Sequence, residues 1–108
     1  MSIKDRSIIV QFKGRIPASM RQYLVRIIIF GSRATGQGGR YSDLDVAVLV
    51  SRKTKQLEKM LEDIAYQLML EHNFKPLISL KIFDRQDFER RYRQGYSFYR
   101  HVRAGVSV

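Results

Sequence analysis

The sequence predicts an α/β domain, a small mixed β-sheet flanked by helices. Three observations carry that expectation. Short apolar, β-branched runs at Tyr23–Phe30 (YLVRIIIF), Leu44–Val50 (LDVAVLV) and Leu77–Phe83 (LISLKIF) read as buried strands. Between the second and third runs, Leu57, Met60, Leu61, Ile64 and Leu68 recur at helical spacing. A third strand that returns after a helix describes a crossover connection, which places helices against a sheet.

Taken in order, Ile8, Ile9, Phe12 and Ile16 predict a first helix over 5–15, with Asp5 as its N-cap. Pro17 separates it from the first strand, which Gly31 stops. A glycine-rich connection leads to the second strand. The long helix spans 53–72 and is ended by Asn73 and Pro76, with His72 at its C-terminus, where positive charge is favourable. Met60 and Met69 lie on this helix, and core filling is the expected role of Met60. After the third strand, two short helices are expected at 85–93 and 96–104, the first capped by Asp84. There is no internal repeat, low-complexity tract or linker, so residues 1–108 are expected to form a single domain.

Composition narrows the class. The absence of cysteine excludes a disulfide framework and a thiolate metal site. The first residues, MSIKDRSIIVQFKGR, lack the uninterrupted apolar region of a signal peptide, and no segment approaches a membrane span of roughly 18 apolar residues. A soluble, cytoplasmic protein without a membrane partner is expected. The formal net charge of +10 should attract polyanions such as nucleic acid, nucleotide phosphates or an acidic protein, or it serves solubility alone.

The chemistry concentrates between the first two strands, in FGSRATGQGGRYSDLDVAVLV. A strand ending in Gly31-Ser32 and entering a helical turn presents backbone N–H groups and a hydroxyl suited to phosphate. Glycine allows an oxygen to approach the backbone, while Arg33 and Arg40 add positive charge. Asp43 and Asp45, two apart on an extended segment, point to one face while Leu44 and Val46 point into the core. Paired carboxylates repel unless neutralised, and a hard divalent cation such as Mg²⁺ does this while also binding phosphate oxygens. Each feature alone also has a structural reading, as a turn, a hydroxyl cap or a solvated sheet rim. There is no P-loop, because GQGGR is not followed by Lys-Ser/Thr in the required place, and no histidine metal-binding spacing around His72 or His101.

Gly31-Ser32, ten intervening residues, and then Asp43-Leu44-Asp45 resemble the signature of the polymerase β-like nucleotidyltransferases. The longer pattern, GSRATG followed by SDLDVAVLV, together with an FYRHVRAGVSV ending, resembles the minimal nucleotidyltransferase group, whose members are often encoded beside a HEPN-domain partner. The resemblance implies the mixed-sheet fold, ATP with Mg²⁺, and nucleotidyl transfer. Carried over, Gly31 and Ser32 (with Arg33) bind the triphosphate, and Asp43 and Asp45 are the catalytic metal ligands. It also implies a hetero-oligomer with a HEPN-type toxin, in which AMP is added to a hydroxyl of the partner.

One departure stands out. The family pattern places a third carboxylate on the strand after the long helix, and here that position falls nearest Ser79, with Lys81 on the same face. Asp84 lies just past the strand with the wrong parity. Lys81 is then expected to contact a phosphate, with the base supplied by substrate or partner, or else binding persists without efficient catalysis. Finally, Phe88–Arg103 (FERRYRQGYSFYRHVR) interleaves arginines with aromatics, a pattern compatible with core packing, a protein interface or RNA stacking.

Overall fold

In the computed structural model, which describes residues 1–39 and 41–108, Ser2 begins the first helix. Its side chain accepts the Asp5 N–H at 3.0 Å, so helix α1 spans Ile3–Gly14, and Ser2, not Asp5, is the N-cap. Asp5 has been drawn inside instead, where it is 3% exposed. Ile8, Ile9 and Phe12 are buried on the same helix, as their spacing requires. Pro17 then opens a single helical turn, α2 (Ala18–Arg21), that the sequence did not announce.

Strands β1 (Leu24–Phe30) and β2 (Leu44–Val50) pair antiparallel, with the four-residue helix α3 (Ser32–Thr35) between them. Thr54 caps α4 (Lys55–Glu71) by accepting the Leu57 N–H, and His72 is the C-cap. Asn73 and Phe74, both with φ near +55° (54° and 58°), reverse the chain. Strand β3 (Ile78–Asp84) then runs parallel to β2, completing the crossover expected from the sequence. Asp84 ends β3 and caps α5 (Arg85–Arg93), accepting the N–H groups of Gln86 and Asp87. Helix α6 (Ser97–Arg103) follows, and the chain closes with β4 (Val106–Ser107).

The sheet order is β3-β2-β1-β4, a four-stranded mixed sheet flanked by helices, which bears out the expected fold class. Strand β4, at two residues, is too short to be visible as a periodic run. Gly105 permits it, since a Cβ there would collide with the Ile29 carbonyl oxygen. The sheet buries two unequal faces. Ile27, Ile29, Leu44, Val46, Val48 and Val50 face α1 and α4 in the larger core, where the half-buried Met60 and Met69 fill gaps. Ile28, Phe30, Ala47 and Leu49 face the smaller cluster built by Phe88 of α5 and Val102 of α6. Among the described residues, no helix is long and apolar enough to cross a membrane.

Candidate active site

Strand β1 delivers Phe30 directly opposite Asp45 of β2, and the chain then turns at Gly31. Gly31 sits at φ 78°, ψ −164°, a region that side chains other than glycine's avoid. It is also pressed against the carboxylate, for a Cβ built there would lie 2.5 Å from Asp45 Oδ2. The two halves of the Gly-Ser and Asp-x-Asp pattern are therefore in van der Waals contact. The sequence expected both to serve one nucleotide, and the backbone joins them at a single point.

Helix α3 continues from Gly31, with Ser32 exposed, and Gly36 ends it in the left-handed conformation at φ 77°. The loop folds back on the helix. Gln37 and Gly38 donate to the Ser32 carbonyl at 3.0 Å, and a Cβ at Gly38 would lie 2.8 Å from Arg33 Cγ. Asp43 is exposed just before β2, while Asp45 is half-buried and Leu44 and Val46 are fully buried, matching the expected alternation.

Arg33 has a different occupation from the phosphate contact expected of it. Its Nε and Nη2 donate to Asp5 at 3.0 and 3.1 Å, and its Nη1 donates to the Ser42 carbonyl at 2.9 Å. The Arg33 side chain is only 15% exposed and that of Asp5 only 4%. The guanidinium thus staples α1, α3 and the approach to Asp43 into one unit, with all its bonds directed inward. The sequence read Asp5 as a helix cap and so missed this pair, since no local spacing links residues 28 apart. Arg40, the other arginine of the loop, lies outside the described residues.

On the other side of Asp45 the parallel register places Ser79, and one step along the same face of β3 comes the exposed Lys81. Neither is an acid. Asp84 faces away with the opposite parity and is engaged at the α5 cap, as the spacing indicated. Among the described residues, no cluster of three or more His, Asp or Glu side chains suited to a metal is found. The local electrostatics follow from this donor set. Burial, and then repulsion from Asp43, push the Asp45 carboxyl above the usual aspartate range, while Lys81, His101 and Ser79 pull it back.

His101 is the participant that sequence reasoning missed. It looked like one basic residue among several arginines. Helix α6 brings its ring edge-on to Phe30, with centroids 5.8 Å apart. The packing of Val102 on Ile28 and Phe30 and the pairing of β4 with β1, neither visible as a local pattern, hold α6 at this end of the sheet.

The family model for the nucleotidyltransferase domain matches residues 14–96, which takes in β1, the Gly31-Ser32 turn, Asp43 and Asp45, and β3. The chain belongs to the nucleotidyltransferase domain family. No curated protein and no solved structure matches the chain. The family accounts for the shared function of nucleotidyl transfer and for the fold around the paired aspartates.

The residues fit a divalent cation of the kind this family uses. Two adjacent carboxylates, one raised first by burial and then by the charge of the other, offer a cation paired negative charge. A hydroxyl and a solvent-exposed rim leave the remaining coordination to water and substrate, which suits Mg²⁺.

Proposed function

We propose that this nucleotidyltransferase moves a nucleoside monophosphate, AMP from ATP with Mg²⁺, onto a hydroxyl of a protein partner. In this reading the chain is the antitoxin-like member of a hetero-oligomer with a HEPN-type toxin. The contact between Gly31 and the Asp45 carboxylate is the observation that carries the chemistry. It sets a backbone that accepts phosphate oxygens beside carboxylates that accept a cation, so both ends of one metal-bound triphosphate have partners.

Asp43 and Asp45 would hold the cation, which when bound neutralises phosphate charge and favours departure of pyrophosphate. The protein's own part is positional. Gly31 and Ser32 fix the triphosphate, Lys81 meets phosphate charge, and Ser79 hydrogen-bonds beside Asp45. The acceptor oxygen forms its bond to the α-phosphorus as the bond to pyrophosphate breaks, and the hydroxyl proton leaves to the partner or to solvent. The exposure of Ser32, Asp43 and Lys81 suits an acceptor presented by a macromolecule.

A second reading is favoured by Ser79 and Lys81 standing where a carboxylate is expected. There the chain binds nucleotide and partner but transfers slowly, and it neutralises the partner by complex formation. A third, transfer to or binding of RNA, draws on the charge of +10.

The deciding experiment is the intact mass of a co-expressed partner, with the wild-type chain and with Asp43→Ala/Asp45→Ala. A gain of AMP units that the double variant abolishes supports the first reading. A stable complex of unchanged mass supports the second, and in a parallel incubation of the chain with RNA and α-labelled ATP, label in RNA with none in protein supports the third.

A further inference from the structure

The matched family segment ends at Tyr96, so α6 and β4 lie beyond it. Yet α6 covers the catalytic end of the sheet. Phe98 and His101, three apart on one helix face, both meet Phe30 edge-on, with centroids at 6.0 and 5.8 Å and interplanar angles of 87° and 89°. Phe30 is the cross-strand partner of Asp45 and the residue before Gly31. The imidazole is therefore steered by an apolar contact to the mouth of the site, and the residue remains solvent-exposed. An imidazole carries a ring N–H that can donate to a phosphate oxygen.

We propose that His101 contacts the triphosphate: its ring N–H takes phosphate oxygens on the Phe30 side of Asp45, across from the β3 side where the Lys81 ammonium stands beside Ser79 in place of an acid. This rests on the nucleotidyltransferase reading and adds to it a residue from outside the matched segment. Asp43 and Asp45 supply charge for one cation, while a triphosphate brings further negative charge, for which the Lys81 ammonium offers a cation and the His101 ring an N–H donor. Beside them, the half-exposed Phe98 screens the ring from the Phe83 side, since it also packs on Phe83 at 6.3 Å.

The test is calorimetric binding of ATP with Ca²⁺, and separately of inorganic pyrophosphate, by the full chain. His101→Phe keeps the ring contact with Phe30 and removes the donor, while His101→Gln keeps a donor. Arg100→Ala alters the neighbouring cation, which lies over Tyr92 at 5.8 Å rather than over the site. We expect His101→Phe to weaken both ligands about tenfold, His101→Gln to retain most of the affinity, and Arg100→Ala to change little. Wild-type affinity in a folded His101→Phe chain, checked by circular dichroism, overturns the assignment and leaves the family chemistry standing. Failure of the wild-type chain to bind ATP with Ca²⁺ overturns both.

Discussion

The two faces of the sheet are built from alternate residues of the same strands, yet they do different work. One face is closed: Ile27, Ile29, Val46 and Val48 meet α1 and α4, and the buried charge of Asp5 on α1 is paired with Arg33. The other is apolar around Phe88 and Val102 and, through Phe30, up to the edge of the site. Toward the start of β2 it gives way to Asp45, Ser79 and Lys81. A strand can be continuously apolar on one side and carry chemistry on the other because its side chains alternate. The lesson is that stability and function are divided here by parity and not by sequence region.

The sharpest way to break that division is at the carboxylates. Asp45→Ala or Asp43→Ala should lower transfer on the order of 10³-fold while the thermal transition persists, measured as label incorporated from α-labelled ATP. Retained activity in either variant would count against the paired-aspartate site.

Stability should respond the other way. Ile29→Ala, on the closed face, should cost about 3–4 kcal/mol by urea denaturation. Phe98→Ala, on the open face and at a residue 39% exposed, should cost under about 1 kcal/mol. Similar losses at both sites would erase the distinction between the faces.

Arg33 tests the seam between them. Arg33→Ala leaves the buried Asp5 carboxylate alone and should cost about 3 kcal/mol. Adding Asp5→Asn should recover part of that loss, because the orphaned charge is gone. An Arg33→Ala chain of wild-type stability but weak ATP affinity would instead restore the phosphate role read from the sequence.

The smallest effect concerns Asp45 itself. Its carboxyl is raised by burial and by Asp43, so between the ordinary aspartate range and the raised value the folded chain holds a proton that the unfolded chain has lost. Without metal, stability should therefore fall as pH rises through that window. Asp45→Asn should flatten this slope and raise the Tm near neutral pH by a few degrees, even as activity is lost. A Tm lowered by Asp45→Asn would mean that the charge is already compensated in the free protein.

Much of this was legible in the sequence, for identifiable reasons. Strands β1, β2 and β3 are apolar β-branched runs, helix α4 has strong periodicity, and Asp84 is a local cap whose partners lie within three residues, whereas the Thr54 cap of α4 emerged only in the structure. The Gly31-Ser32 and Asp43/Asp45 pattern was legible because glycine and paired acids are costly to place without a reason. What escaped depended on distance along the chain. The Asp5–Arg33 pair, the return of β4 to Ile28 and Ile29, and the arrival of His101 over Phe30 are all set by tertiary packing. In the Arg-aromatic tail, the structure shows packing by Phe88 and Tyr99 and an arginine, Arg103, stacked 4.5 Å over Tyr92.

The contact between Gly31 and the Asp45 carboxylate also constrains how this protein can change over generations. A side chain gained at Gly31 must displace Asp45, and an altered Asp45 removes that clash while the positive φ still favours glycine. Gly31→Ala should therefore cost less on an Asp45→Ala background than in the wild-type chain, by the steric part of its penalty alone. The glycine turn and the acidic strand thus share one steric constraint, and a lineage that loses the carboxylate still keeps the turn's own demand for glycine.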